Sequence, residues 1–206
     1  MLSGVILAGG DNKRMNGQVK ALLTFEGTPL ILRQIAEMNK ICSEIIIVTN
    51  EPRLFLPLVD RSVRIITDFY QGKGILGGMH AGLMLSKHQN VWVIGSDMPF
   101  VSSKAAGLLL DLKENLVLEA AIPLIKGRLH PLHAIYDKSV AETVAKTLQS
   151  GISDVQDVLK SLRWAELTEP KVNEQGIPSS FVTAIKTQTD YKNALQSEQS
   201  GSEIRR

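Results

Sequence analysis

The first apolar run of the chain ends in a pair of glycines that is followed by basic side chains. Gly9 and Gly10 come directly after the run 4–7 and Ala8. Three basic residues follow soon after: Lys13, Arg14 and Lys20. Paired glycines after a strand can adopt positive φ and let backbone N–H groups approach an anion, and the basic side chains add positive charge. The stretch therefore suits a triphosphate, with an ordinary glycine turn and a solvated basic face as the alternative.

Two aspartates follow apolar runs further along the chain. Asp97 comes after the run 91–94 and is followed two residues later by Pro99, which restricts the preceding residue to extended conformations. Asp68 comes after the run 63–67. One or two carboxylates together with phosphate oxygens are the ligands that Mg²⁺ prefers. Asp97 is therefore a candidate metal ligand, and a helix-capping or turn aspartate is the alternative.

Three other features give less information. The stretch 71–79 holds four glycines and predicts a flexible loop that leads into a helix. His130 and His133 are three residues apart, which in a strand places them on opposite faces, so we expect structural roles rather than a shared metal. The single cysteine, Cys42, has no second thiol to pair with and is expected to be a packing residue.

Short β-branched runs alternate with helix-like stretches, which is typical of a doubly wound α/β sheet. We predict the following strands: 4–7, 45–48, 63–66, 91–94, 120–124, 132–135 and 181–185. The predicted helices are 30–40, 79–87, 104–113, 140–148 and 155–162. We expect one domain over residues 1–195, with 196–206 as a flexible tail. Ligands of such sheets bind beyond the carboxyl ends of the strands, where both aspartates and the glycine pair lie.

Composition excludes several classes of protein. The 206 residues suffice for one compact domain, and 23 Lys and Arg against 21 Asp and Glu give a net charge of +2. Nucleic-acid-binding modules concentrate basic residues in a stripe, which is missing here. No apolar run approaches the roughly 18 residues that cross a bilayer, and no basic segment precedes the first apolar run as in a signal peptide. We therefore expect a cytoplasmic protein that binds neither nucleic acid nor membrane.

Several motifs in this order resemble the nucleotidyltransferases with a Rossmann-like fold. They are Val5-Ile6-Leu7-Ala8-Gly9-Gly10, Arg14-Met15, Lys20-Ala21-Leu22-Leu23 and Gly27-Thr28-Pro29-Leu30. Within that group, the short chain and three further segments resemble the molybdenum cofactor guanylyltransferases. These segments are Gly74-Ile75-Leu76-Gly77-Gly78, Ser96-Asp97-Met98-Pro99-Phe100 and His130-Pro131-Leu132-His133-Ala134-Ile135-Tyr136.

The resemblance implies a single, mostly parallel sheet between two layers of helices and an enzyme that transfers GMP from GTP to molybdopterin. Pyrophosphate would leave, Mg²⁺ would be the cofactor, and Asp97 would be its ligand. Lys20, Arg14 and Asp97 would be the catalytic residues. The nucleotide-binding residues would be Leu7, Ala8, Gly9, Gly10, Lys20, Asn50, Asp68 and Asp97. Molybdenum-insertion proteins or molybdoenzyme chaperones are the partners that the family suggests.

The sequence departs from the family pattern at three places. Asn16 stands where glycine is usual, Ile75 replaces a common proline, and the segment 184–187 replaces Asn-x-Asn-Thr. Because those asparagines are expected near the acceptor and the metal, the last change leaves acceptor identity or catalytic competence open, although Lys186 could equally bind an anionic acceptor. The alternatives are therefore a related enzyme that uses CTP or another phosphorylated acceptor, such as a sugar phosphate, and a non-catalytic nucleotide-binding accessory protein.

Overall fold

A sheet of mostly parallel strands forms the centre of the fold. A computed structural model of the protein describes residues 1–10, 17–70, 72–152 and 154–203. The strands are β1 (Leu2–Leu7), β2 (Thr24–Phe25), β3 (Thr28–Pro29), β4 (Glu44–Val48), β5 (Arg64–Ile66), β6 (Asn90–Gly95), β7 (Ala120–Ile125), β8 (Arg128–Leu129), β9 (Ala134–Asp137) and β10 (Trp164–Thr168). The main sheet has the order β10-β7-β9-β6-β1-β4-β5, β8 pairs with β7, and β2 and β3 form a separate hairpin.

The pairing of the strands confirms the predicted α/β class. β1 lies between β4 and β6 and is parallel to both, β5 is parallel to β4, and β10 is parallel to β7. Only β8 and β9 run antiparallel to their neighbours in this sheet. The carboxyl ends of β1, β4, β5 and β6 therefore meet at one edge.

Helices cover both faces of the sheet and produce three layers. They are α1 (Leu30–Met38), α2 (Gly74–Leu85), α3 (Ser103–Asn115), α4 (Val140–Gln149), α5 (Val155–Leu159), α6 (Glu169–Glu174) and α7 (Gln188–Glu203). One apolar cluster joins the sheet to α1, α3 and α6, and a second joins it to α2, α4 and α5. Within the described ranges, no helix is both long and apolar enough to cross a membrane.

The central strands are mostly apolar because both of their faces are covered, and their polar residues Ser3, Glu44 and Asn90 are also buried. In β6, Trp92 and Ile94 belong to the first cluster, whereas Val91 and Val93 belong to the second. All four side chains are completely buried. A parallel strand between two helical layers has no solvated face, so its sequence is a continuous apolar run rather than an alternating one.

Two sequence predictions need correction. The expected strand 181–185 is instead a 3₁₀ helix at Ser179–Val182 followed by an irregular segment, although Phe181 and Ile185 are buried. A short apolar run shows burial but does not distinguish a strand from a buried turn. The flexible tail expected at 196–206 stays a prediction; the backbone of this stretch continues α7 to Glu203.

The glycine-rich stretch 71–79 is mostly helical rather than a flexible loop. α2 begins at Gly74, five residues before the predicted start at Met79. A Cβ on Gly82 in this helix would lie 2.5 Å from Cγ1 of Val5, so the glycine allows α2 to pack closely on β1. Gly82 therefore serves helix–sheet packing, whereas within the stretch itself Gly72 and Gly74 have positive φ.

His133 has the structural role that the sequence predicted. Its ring is completely buried, with its centroid 5.0 Å from that of Trp92 and 4.7 Å from that of Phe181. Nε2 accepts a hydrogen bond of 2.9 Å from the Ser102 backbone N–H, just before α3. Burial lowers the pKa of His133 from 6.5 to about 3, so the ring is neutral at physiological pH.

The buried ring predicts a loss of stability in mild acid. The unfolded chain binds a proton on this ring below its ordinary pKa of 6.5, whereas the folded protein does so only near pH 3. The free energy of unfolding should therefore fall with pH in this window, by about 2 kcal/mol from His133 between pH 7.5 and 5. In urea denaturation, the free energy of unfolding of His133→Gln should differ less between these two pH values than that of the wild type does. The matched variant His88→Gln should keep the wild-type difference; an unchanged difference in His133→Gln would contradict the assignment.

Candidate functional site

A cleft of about 460 Å³ lies at the carboxyl ends of the parallel strands. The register of the sheet aligns Leu7, the last residue of β1, with Val48 of β4 and Gly95 of β6. The residues just beyond these three positions therefore enter one space. The cleft is lined by Ala8, Gly9 and Gly10 after β1, Thr49 and Asn50 after β4, Asp68 after β5, and Ser96 and Asp97 after β6, together with Val19, Lys20 and Leu132.

Asp97 lies in a tight turn at the end of β6. The Met98 N–H donates to the Gly95 carbonyl at 3.3 Å, which closes the turn. From the other side, the Ile185 N–H donates to the Asp97 carbonyl at 2.8 Å. The peptide of Asp97 is therefore fixed by backbone contacts, while its carboxylate faces the cleft.

Lys20 approaches the Asp97 carboxylate from the segment after the first glycine pair. The distance from Nζ to Oδ2 is 3.4 Å, and the two side chains are 18% and 23% exposed. Lys20 begins a short 3₁₀ helix whose next residue, Ala21, is anchored in the core. Because the ion pair is long and both groups reach solvent, both charges remain available to a ligand.

Asn50 and Asp68 form a second polar group on the other side of the cleft. Asn50 Nδ2 donates to Asp68 Oδ2 at 3.3 Å. The second oxygen, Oδ1, is buried and has no hydrogen-bond partner in the described part of the chain. A buried acceptor without a partner is costly, so this oxygen is suited to accept a hydrogen bond from a ligand.

Gly9 and Gly10 border the cleft without the positive φ that the sequence suggested. Neither residue has φ in the left-handed region, and a Cβ added to either would meet no atom of the described residues within 4 Å. The described part of the chain therefore does not require glycine at these positions. Open space beside the backbone fits a ligand that contacts the main chain closely.

The cleft contains nearly all of the predicted site residues. Leu7, Ala8, Gly9, Gly10, Lys20, Asn50, Asp68 and Asp97 all line it. Arg14 and Lys13 lie outside the described residues. Sequence reasoning missed Thr49 and Ser96, whose position directly after strands was the available signal, and Val19 and Leu132, for which no signal existed.

The donor groups fit a magnesium ion that shares its ligands with a substrate. Among the residues described, no group of three or more His, Cys, Asp or Glu side chains could hold a metal alone. Asp97 offers one accessible carboxylate, and Mg²⁺ commonly takes one or two carboxylates and completes its shell with phosphate oxygens and water. Asp97 could therefore hold the ion together with a bound triphosphate.

Positive charge extends along the rim beside Leu132. Burial lowers the pKa of the half-buried His130, and the nearby charges of Arg128 and Lys186 lower it further. Lys186 directly follows Ile185, the residue that is hydrogen-bonded to the Asp97 carbonyl. In the described ranges, neither Arg128 nor Lys186 forms an ion pair, although Asp190 lies near Lys186 and accepts from its backbone N–H at 2.9 Å.

The fold and the cleft define a class of protein. A doubly wound sheet with a glycine pair after its central strand, and a lysine opposite an aspartate at the neighbouring strand end, is suited to nucleotidyl transfer. A sequence model of the MobA-like NTP transferase domain matches residues 4–167. The chain belongs to this family of nucleotidyltransferases.

Individual relatives agree with this assignment. The chain is 36% identical over 146 residues to a probable molybdenum cofactor guanylyltransferase of Clostridium perfringens, covering 71% of each chain. It is 28% identical over 171 residues to the molybdenum cofactor guanylyltransferase of Desulfosudis oleivorans, covering 83% of each. Its fold matches the crystal structure of molybdopterin-guanine dinucleotide biosynthesis protein A from Archaeoglobus fulgidus with a TM-score of 0.81 and 24% identity, covering 96% of this chain and 99% of that one.

Gly77 offers a test of how α2 shapes the Asp68 side of the cleft. A Cβ at this position would lie 2.8 Å from the Tyr70 carbonyl oxygen, so Gly77→Ala must move the segment that follows Asp68. We expect nucleotide affinity to fall about tenfold, equivalent to roughly 1.4 kcal/mol, in a calorimetric titration. Gly107→Ala in α3 is the control, because its Cβ would meet nothing within 4 Å and alanine favours helices. Equal affinities in the two variants would contradict the assignment of Asp68 to the binding site.

Proposed function

We propose that this protein transfers GMP from GTP to molybdopterin, releasing pyrophosphate and forming a guanine dinucleotide cofactor. The observation that carries the proposal is the arrangement of the cleft in a chain of the MobA-like family. Lys20 and Asp97 face each other at 3.4 Å in the cleft that the glycine pair lines, and Lys186 directly follows Ile185, whose N–H donates to the Asp97 carbonyl. This arrangement offers separate places for a triphosphate and for a phosphorylated acceptor.

The nucleotide would bind along the residues that follow β1, β4 and β5. The open backbone at Gly9 and Gly10 would receive the base and ribose closely, and the buried Asp68 Oδ1 would accept a hydrogen bond from the nucleoside. Lys20 would leave its long contact with Asp97 to neutralise phosphate oxygens. Arg14 would be a further phosphate contact. Binding of this kind uses the free polar groups of the cleft without displacing core side chains.

The reaction needs positioning and charge neutralisation rather than a covalent enzyme intermediate. An oxygen of the molybdopterin phosphate would attack the α-phosphorus of GTP, and the bond from this phosphorus to the oxygen bridging to the β-phosphorus would break. The attacking group is already an anion, so no general base is required. The protein's task is to bring two anions together in line, which Lys20 makes possible by offsetting their repulsion.

We propose Mg²⁺ as the cofactor, held by Asp97. Nucleotidyltransferases of this family generally use a divalent metal ion. When bound, Mg²⁺ would neutralise the charge that develops on the departing pyrophosphate. Asp97 is suited to hold it because its turn is fixed by the Ile185 N–H and its carboxylate is accessible from the cleft.

The acceptor would approach from the rim of Arg128, His130 and Lys186. Arg128 and Lys186 carry positive charge that no carboxylate of the described chain neutralises in an ion pair, and His130 is close enough to both to be affected by their charge. A phosphate monoester is attracted to such a rim. The same rim would also accept a sugar phosphate, so the assay must include both acceptors.

We also expect molybdenum-insertion proteins or molybdoenzyme chaperones to deliver or receive the cofactor, and we expect the protein to be cytoplasmic.

A single assay tests the proposed reaction against its alternatives. The purified protein is incubated with Mg²⁺, each of the four nucleoside triphosphates, and either molybdopterin or a sugar phosphate, and pyrophosphate release is measured. We expect release only with GTP and molybdopterin. Release with CTP or with a sugar phosphate would replace the proposal by a related transferase. Tight GTP binding without release in the presence of molybdopterin would show a non-catalytic accessory protein.

The proposed role of Asp97 predicts a large loss of turnover without a loss of folding. Asp97→Asn keeps the size of the side chain but removes the charge that would hold Mg²⁺, so kcat should fall about 10²-fold or more. The melting temperature should stay close to that of the wild type, because the ion pair that the carboxylate makes within the described ranges is long and partly exposed. The exposed Asp111→Asn in α3 is the control. Near-normal turnover of Asp97→Asn with Mg²⁺ would remove Asp97 from the metal site.

A further inference from the structure

Gln34 is a fully buried polar side chain in the middle of α1. Its exposed fraction is 0%, and the neighbouring residues on this face of the helix, Ile31, Ile35 and Met38, all belong to an apolar cluster. Burial of an amide costs free energy unless hydrogen bonds replace those made to water. The contacts of Gln34 therefore show what a glutamine contributes at this position.

The amide nitrogen of Gln34 holds both ends of the turn that carries Asp97. Nε2 lies 3.0 Å from the Gly95 carbonyl oxygen and 2.9 Å from the Met98 carbonyl oxygen. These residues are the first and last of the turn that the Met98 N–H closes onto Gly95. One amide group has two N–H donors, so a single side chain bridges the two ends.

The side-chain carbonyl oxygen of Gln34 forms no hydrogen bond with the described residues. This oxygen, Oε1, is also buried. An apolar side chain of the same length would fill the space without leaving an acceptor unpaired. The two N–H bonds to the Asp97 turn are therefore the distinctive contribution of glutamine at this position.

We propose that Gln34 is a positioning residue for nucleotidyl transfer. By bridging Gly95 and Met98, it fixes the direction in which Asp97 presents its carboxylate to the nucleotide and its metal ion. This inference rests on the proposed function, because it requires the Asp97 carboxylate to act in the reaction. Gln34 touches no substrate, but phosphoryl-transfer geometry is sensitive to displacements of about 1 Å in the groups that position the reactants.

The test compares Gln34→Met with the matched variant Lys113→Met. Methionine is about as long as either side chain but has no N–H group. Lys113 is 5% exposed and donates to Asn90 Oδ1 at 2.8 Å and to Asp137 Oδ2 at 3.2 Å. Asn90 begins β6, and Gly95 ends it. Each variant therefore loses the two hydrogen bonds of a buried side chain, one variant at each end of the same strand.

Three quantities are measured for each variant: GTP affinity with Mg²⁺ and GTP affinity without Mg²⁺, both by calorimetry, and kcat by pyrophosphate release. In Gln34→Met, we expect the gain in GTP affinity caused by Mg²⁺ and kcat each to fall at least about tenfold. GTP affinity without Mg²⁺ should stay within about twofold of the wild type, and Lys113→Met should keep all three values within that range. If Gln34→Met and Lys113→Met changed kcat and the Mg²⁺-dependent gain in GTP affinity by the same factors, the proposal would be overturned.

A double variant shows whether Gln34 acts through Asp97. In an Asp97→Asn background, Gln34→Met should cause no further loss of kcat or of the gain caused by Mg²⁺, while its effect on the melting temperature should persist. A further loss by the factor seen in the wild-type background would mean that Gln34 acts elsewhere and would overturn the positioning role.

The outcome also separates this inference from the proposed function. A normal Mg²⁺ response in Asp97→Asn would overturn the role of Asp97 itself, whereas an impaired Asp97→Asn beside a normal Gln34→Met would overturn only the role of Gln34. If Gln34→Met fails to fold, Gln34→Asn takes its place under the same criteria. Asparagine keeps the amide but is one methylene shorter, so it cannot bridge both carbonyls from the same helix position.

Discussion

The parallel register of β1 with its two neighbours is the constraint on which the rest of the site depends. Leu7 is aligned with Val48 on one side and with Gly95 on the other, so three strands end in one row. The cleft residues at the ends of β1, β4 and β6 all lie within three positions in sequence of these three aligned residues. A parallel sheet covered by helices on both faces fixes such a register strongly, because a shift by one residue would exchange the two buried faces. The stability of the core and the geometry of the site thus have one origin.

The charged side chains of the cleft are paired loosely enough that a bound polyanion can replace their contacts with each other. Lys20 and Asp97 are separated by 77 positions in sequence but lie 3.4 Å apart across the cleft. The pair is long and partly exposed, so it contributes little to stability and leaves both groups free to rebind. The near-neutral total charge of +2 is compatible with this, because Lys20 places a positive charge in the cleft whatever the sum over the whole chain.

The sequence predicted the parts of the structure that repeat a simple physical pattern. The buried strands appear as continuous apolar runs, and Asp68 and Asp97 were recognisable because each follows such a run closely. Asn50 was named from the family resemblance alone. The antiparallel direction of β9 could not be predicted, since strand direction depends on the path of the chain and not on local composition. The stretch 181–185 failed because burial alone does not specify a strand.

Gln34 shows a different limit of sequence reasoning. A polar residue in an amphipathic helix is normally assigned to the solvated face, and nothing in the segment 30–40 marks this one as buried. Its partners are backbone carbonyls of Gly95 and Met98, and backbone groups carry no sequence signal. Contacts of this kind become visible only in three dimensions. They explain how a helix without cleft residues of its own influences the site.

We propose that Asp97 and Lys20 organise a metal-bound triphosphate at the end of β6. A crystal structure with a non-hydrolysable GTP analogue and Mn²⁺, in which anomalous scattering locates the ion, would test this arrangement. We expect one anomalous peak within bonding distance of the Asp97 carboxylate, phosphate oxygens in contact with Lys20, and the nucleoside beside Gly9, Gly10 and Asp68. A peak away from Asp97, or a nucleotide bound outside this cleft, would contradict it.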